Sequence, residues 1–190
     1  YVPIWLLKIV FYKKRKILRG HQFDAQAAAL LFITPKTDLS VLADNEIPNT
    51  RNSINKNRKK TKLSLMPSRE VKKIDHVLPN HKLLLREYQP VNLDKKRAVL
   101  YFHGGGYVLS SVDTHDDMVS YMSDSVGVKF YSLDYRLSPE NKYPDSLDDA
   151  LEAYAWLIKQ GFSPKEISVC GDSAGAHLAA SLVHDLSSRD

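Results

Sequence analysis

Ile167-Ser168-Val169-Cys170-Gly171-Asp172-Ser173-Ala174-Gly175-Ala176-His177-Leu178 is the stretch whose reading decides the fold. It opens with a short, mostly apolar run and breaks at two glycines that bracket Asp172-Ser173-Ala174. It then continues into an Ala/Leu-rich segment of helical texture. A G-x-S-x-G pattern is weak by itself. Placed between a strand and a helix it has the setting of a nucleophile elbow. The glycines permit a sharp turn that other side chains would obstruct. The turn presents the Ser173 hydroxyl at a helix N-terminus, which favours developing negative charge.

Working upstream, residues 97–102 form a nearly all-apolar run, as a buried central strand should. His103-Gly104-Gly105-Gly106 follows it directly. Acyl transfer builds negative charge on a carbonyl oxygen, and backbone N–H groups aimed at that oxygen stabilise it strongly. The expected donors are two from Gly104, Gly105 and Gly106 and one from Ala174, the residue after the nucleophile. His103 is read as shaping the loop, and Asp172 as a structural hydrogen-bonding partner. No Lys-Ser/Thr follows the glycines, so a phosphate-binding loop is not indicated.

Around these motifs strands and helices alternate. Strands are predicted at 71–77, 82–88, 97–102, 128–133 and 167–170. Helices are predicted at 25–32, 114–125 with Thr114 as N-cap, 144–160 ended by Gly161, and 174–186. Alternation from residue 98 onward is the signature of an α/β fold with a parallel sheet. Residues 48–60 are polar, basic and poor in hydrophobic side chains, and read as a mobile surface loop. Without interleaved aromatic residues they are a poor match for a nucleic-acid-binding tail.

Four ordered motifs carry a resemblance: His103-Gly104-Gly105-Gly106-Tyr107, then residues 134–140 (DYRLSPE), residues 143–150 (YPDSLDDA), and Gly171-Asp172-Ser173-Ala174-Gly175. With them the chain resembles the hormone-sensitive-lipase-like branch of the α/β-hydrolases, from about residue 82 to residue 186. The resemblance implies a mostly parallel sheet with flanking helices, and an N-terminal helical cap over the site. It also implies hydrolysis of small carboxylic esters without cofactor or metal. Residues 1–70 would be the cap with its basic linker, and 71–190 the N-terminal part of the catalytic domain. Asp134, Arg136 and Glu140 are read as a charged structural cluster at a strand end.

A serine nucleophile needs a base and an orienting carboxylate, in the chain order Ser, Asp or Glu, His for this fold. After Ser173 the chain holds only His177, His184, Asp185 and Asp190 as candidates. They are too close in sequence to Ser173 to take the triad's loop positions, and the histidines are read as surface or packing residues. The acid, the base and the later strands of the sheet are therefore expected beyond this chain. An inactive remnant or a small-molecule-binding protein on a hydrolase fold is the alternative reading.

The bulk numbers add little specificity. The net charge of +5 divides into +13 over residues 1–100 and −8 over residues 101–190. The basic half reads as a solvated, Lys-rich cap rather than a nucleic-acid site. Cys170 is the single cysteine, so no disulfide forms within the chain, and a buried core thiol is expected. Residues 1–12 are apolar except for Lys8 and run into Lys13-Lys14-Arg15-Lys16. A dozen residues is too short to cross a bilayer. A cytoplasmic protein is expected, with membrane-surface contact through residues 1–20 left open, a small-molecule ester as substrate and no nucleic-acid partner. The oligomeric state is not legible.

Overall fold

A computed structural model describes residues 3–11, 17–18, 20–33, 43–61 and 70–188 of the 190-residue chain. The basic run at 13–16 lies outside the described residues, as do parts of the expected cap at 34–42 and 62–69. Two compact units are present, residues 1–42 and residues 43–190.

The first unit contains helix α1 (Ile4–Val10), the short antiparallel pair β1 (Ile17–Leu18) and β2 (His21–Gln22), and helix α2 (Ala25–Ile33). Asp24 caps α2, its Oδ1 accepting from the N–H groups of Gln26 and Ala27 at 2.8 and 3.1 Å. Phe11 and Phe32 meet edge to face at 5.7 Å. The apolar side chains of Ile4, Trp5, Ile9 and Val10 are exposed. Among the described residues, no helix is long and apolar enough to cross a membrane.

The second unit begins with helix α3 (Ile47–Thr61) and continues with strands β3 (Lys72–Val77), β4 (Leu84–Gln89) and β5 (Asp94–Phe102). Helix α4 (Val112–Val126), strand β6 (Val128–Leu133), helix α5 (Asp145–Lys159), strand β7 (Ile167–Gly171) and helix α6 (Ala174–Ser187) follow. The sheet order is β3-β4-β6-β5-β7. β3, β4 and β6 pair antiparallel, whereas β5 lies parallel to both β6 and β7.

Side-chain alternation divides the core between the two faces of this sheet. Ala98, Leu100 and Phe102 of β5 join Leu85, Tyr131 and Leu133 beneath α5 and α6, against Ala153, Leu157, Leu178 and Leu182. Tyr101 points to the other face and packs with Tyr88, Phe130 and Val119 of α4. A strand covered on both sides must be apolar throughout, which is why 98–102 carries no charge.

Three expectations are corrected. Residues 48–60, read as a loop, are helical within α3. The segment contains no glycine, and its single proline, Pro48, sits in the first turn, where a missing N–H costs nothing. Tertiary contacts made by Ile47 and Arg51 then compensate for its sparse apolar face. The N-cap of α4 is Ser111 rather than Thr114. Thr114 is the third helical residue, and its hydroxyl accepts from the Ser111 N–H at 3.0 Å. Cys170 is only partly buried, because β7 is an edge of the described sheet.

Candidate active site

Strands β5 and β7 run parallel and in register, with Phe102 opposite Gly171. The chain leaves both strands at the same level. His103–Gly106 and Asp172–Ala174 therefore emerge side by side at the carboxyl end of the sheet. Two close contacts weld them together. Oδ1 of Asp172 accepts the Gly104 N–H at 2.8 Å. Gly175, at the start of α6, lies so near the carbonyl oxygens of Phe102 and His103 that any Cβ there would overlap them.

Ser173 sits at φ 52° and ψ −119°, between β7 and α6. Positive φ is uncommon for a residue with a Cβ and costs on the order of 1–3 kcal/mol, strain that clusters at functional sites. The side chain is exposed. The neighbouring Asp172 also accepts from the Tyr101 hydroxyl at 2.5 Å, and His115 Nε2 lies 3.5 Å from its Oδ1. Burial would raise the Asp172 pKa, but the Tyr101 hydroxyl, the His115 ring and the Gly104 N–H together hold it below the usual carboxylate value.

Two peptide planes of the glycine loop are fixed through their carbonyl oxygens. His103, fully buried and stacked on Tyr135 at 4.4 Å, places Nδ1 2.8 Å from the Gly104 oxygen. A carbonyl and the following N–H share one rigid plane and point in opposite directions. Anchoring the Gly104 oxygen therefore aims the Gly105 N–H. The Gly105 oxygen accepts from Val108 at 3.1 Å and Leu109 at 2.8 Å, which in the same way aims the Gly106 N–H. Gly105 adopts φ +125°, and a Cβ there would overlap the Leu109 carbonyl, so only glycine fits.

Of the expected donors, the Gly104 N–H is already taken by Asp172. The N–H groups of Gly105, Gly106 and Ala174 form no hydrogen bond among the described residues. The loop that carries the first two of these groups is tied to the serine turn through the Asp172–Gly104 hydrogen bond, and Ala174 directly follows the serine. His103 cannot serve Ser173 as a base. Its Nε2 is buried without a hydrogen-bond partner, and burial lowers its pKa to about 4.

His177 is exposed one turn along α6, and its Nδ1 is 2.7 Å from the Tyr107 hydroxyl. His184 is exposed. Asp134, Arg136 and Glu140, read as one charged cluster, instead bond separate partners. Asp134 accepts from the Val112 N–H at 3.0 Å, and Arg136 Nη2 lies 2.7 Å from the fully buried Asp149. Glu140 pairs with Arg51 of α3. Sequence reasoning passed over Arg51 because the segment around it looked like a loop. A cavity of about 200 Å³ opens beside His177, lined by Tyr107, Tyr143, Leu147 and Ser181 among others.

A family model described as the alpha/beta hydrolase fold matches residues 99–190, the span from β5 through the serine turn to α6. Over this span, just under half of the chain, the fold is that of the α/β-hydrolases. The chain is 38% identical over 116 residues to an ethyl acetate hydrolase of Pseudomonas putida, covering 57% of this chain and 36% of that protein. A solved hyperthermophilic esterase from Pyrobaculum calidifontis superposes with TM-score 0.64 at 34% identity, over 75% of this chain and 48% of that one. An esterase described as belonging to the bacterial hormone-sensitive lipase family superposes with TM-score 0.65 at 27% identity, over 82% and 48%. The chain thus spans about a third of the curated hydrolase and about half of each of these structures.

Proposed function

We propose that this α/β-hydrolase chain carries the nucleophile and the oxyanion hole of a carboxylic ester hydrolase acting on short-chain or small hydrophobic esters. One observation carries the reading. A serine at positive φ lies between β7 and α6, in a turn tied by the Asp172–Gly104 hydrogen bond to the glycine loop, and the N–H groups of Gly105, Gly106 and Ala174 have no partner among the described residues. Ser173 would attack the ester carbonyl, and the carbonyl oxygen, now negative, would be held by those N–H groups. The acyl group would pass to Ser173 with loss of the alcohol, and water would then release the acid. The ester-hydrolysing relatives support this reaction class. A general base would accept the Ser173 proton and return it to the leaving alcohol.

The test uses the intact protein. Wild type should hydrolyse p-nitrophenyl acetate and take up a fluorophosphonate on Ser173, located by peptide mass spectrometry. Ser173→Ala should lose at least about 10³-fold in kcat while unfolding at an unchanged denaturant concentration. Near-normal turnover in that variant would remove Ser173 from the mechanism. An intact wild-type protein that binds small esters but never turns them over would instead support the binding-protein alternative.

A further inference from the structure

Arg51 projects from α3, and its guanidinium is among the most fully engaged groups in the chain. Its Nε donates to the Val108 carbonyl at 2.6 Å, and its Nη2 to the Ser138 carbonyl at 2.6 Å. Nη1 and Nη2 each meet one oxygen of Glu140 at 2.9 Å. The Arg51 side chain is 14% exposed. The two-pronged pair with Glu140 fixes the plane of the guanidinium, so its remaining donors reach the two carbonyls in a set direction. Contact with Arg51 holds the Glu140 carboxyl below its usual pKa.

The Val108 carbonyl belongs to the same rigid peptide as the Leu109 N–H, which points the opposite way. That N–H donates to the Gly105 oxygen at 2.8 Å. The Gly105 oxygen in turn shares a peptide with the Gly106 N–H. Two peptide planes therefore connect the Arg51 guanidinium to the direction in which Gly106 points. A parallel hold comes from Ser138, whose N–H donates to the Tyr107 carbonyl at 2.8 Å while its own carbonyl accepts from Arg51.

We propose that Arg51 is a positioning residue for the oxyanion loop, acting through Val108 and Leu109 to aim the Gly106 N–H, with Glu140 holding the guanidinium in plane. The inference rests on the ester-hydrolase reading given above. It makes α3, outside the motifs that define the site, part of what sets the catalytic rate. Lysine cannot replace arginine here, because one ammonium cannot reach two carbonyls and both carboxylate oxygens in a fixed plane.

The test compares Arg51→Met, Arg51→Lys and Glu140→Gln with wild type in the intact protein, with active sites counted by fluorophosphonate titration. Per titrated site, kcat on p-nitrophenyl acetate should fall by about tenfold in Arg51→Met and by less in the other two, a partial loss of one oxyanion donor. KM should change by less than about twofold. Affinity for a trifluoromethyl ketone, whose adduct with serine places an oxyanion against the loop, should weaken by the same factor as kcat/KM. The Leu109 amide should exchange hydrogen faster in Arg51→Met. A lower melting temperature with unchanged kcat per titrated site would reduce Arg51 to a structural strut and overturn the proposal. So would a kcat loss without loss of ketone affinity. Should Arg51→Met fail to fold, the milder Arg51→Lys and Glu140→Gln carry the same comparison. If wild type shows no turnover, the hydrolase reading fails by itself, and Leu109 exchange still reports whether Arg51 holds the loop.

Discussion

Gly105 is the residue at which the site tolerates least change. Its φ of +125° belongs to glycine, and the Leu109 carbonyl occupies the place of a side chain. Gly105→Val must rotate both peptide planes that the carbonyl bonds hold. In the intact protein, kcat should fall on the order of 100-fold or more, as loss of an oxyanion donor does, with KM changed far less. Steady-state kinetics on active-site-titrated enzyme decide it, and an unchanged rate would mean the loop does not hold the oxyanion. His103 sets a pH dependence of stability instead. Burial lowers its folded pKa to about 4, below the usual histidine value of about 6.5. Between those values the unfolded chain binds a proton that the folded chain refuses. Stability is therefore lost as pH falls from about 6.5 to about 4, by an amount on the order of 3 kcal/mol, and is not lost further below that window. His103→Asn keeps a donor for the Gly104 oxygen but does not titrate. Urea unfolding at pH 7, 5.5 and 4.5 should show the wild-type decline flattened by that amount in the variant. Parallel curves would show that His103 is not the group responsible.

Among the elements, the antiparallel side of the sheet is tied by a buried carboxylate. Glu87 of β4 is 4% exposed and receives Lys129 of β6, Gln89, Tyr131 and His76 of β3. Burial would raise its pKa, but Lys129, Gln89 and His76 outweigh that and bring it down to about 2. The charged form is thus stabilised in the fold. That contribution is present above the unfolded carboxylate range and is lost as pH falls toward 2. Lys129→Met leaves the charge buried with only weaker partners. It should destabilise the protein by about 3 kcal/mol at neutral pH, read from the urea midpoint. The double variant Glu87→Gln, Lys129→Met should recover part of the loss, and a neutral single variant would show that the pair adds nothing. The helix α3 carries the converse lesson. Its polar sequence contains no strong amphipathic stripe, so its helicity could not be read from periodicity. The four hydrogen bonds of Arg51 join residues 57 to 89 positions apart, a separation at which local sequence holds no signal.

For the whole molecule, the sheet's order places the serine turn at its described edge, with β7 paired to β5. No hydrogen bond joins Ser173 to a histidine among the described residues: His103 is buried, His115 lies against Asp172, and Nδ1 of His177 meets the Tyr107 hydroxyl. Expressed by itself, the 190-residue chain should hydrolyse p-nitrophenyl acetate at least about 10⁴-fold more slowly than the intact protein, the scale on which triad members contribute. Direct comparison of the two under the same conditions checks this. Comparable turnover would mean that a base for Ser173 lies within the chain.

The sequence by itself determined the order of strands and helices from residue 71 onward, the turn at Ser173 and the glycine loop. These are local properties. A strand buried on both faces must be apolar, a sharp turn must be built from small residues, and both leave their mark within a few neighbouring positions. Tertiary structure decided which backbone groups remain available. Gly104, Gly105 and Gly106 are indistinguishable as letters. Only the in-register exit of β5 and β7 brings Asp172 onto Gly104, while the other two N–H groups have no partner among the described residues. It also decided that residues 47–61 are helical and that Arg51 reaches the loop. The bonds that fix both facts come from partners remote in the chain, and only folding brings those partners within 3 Å of it.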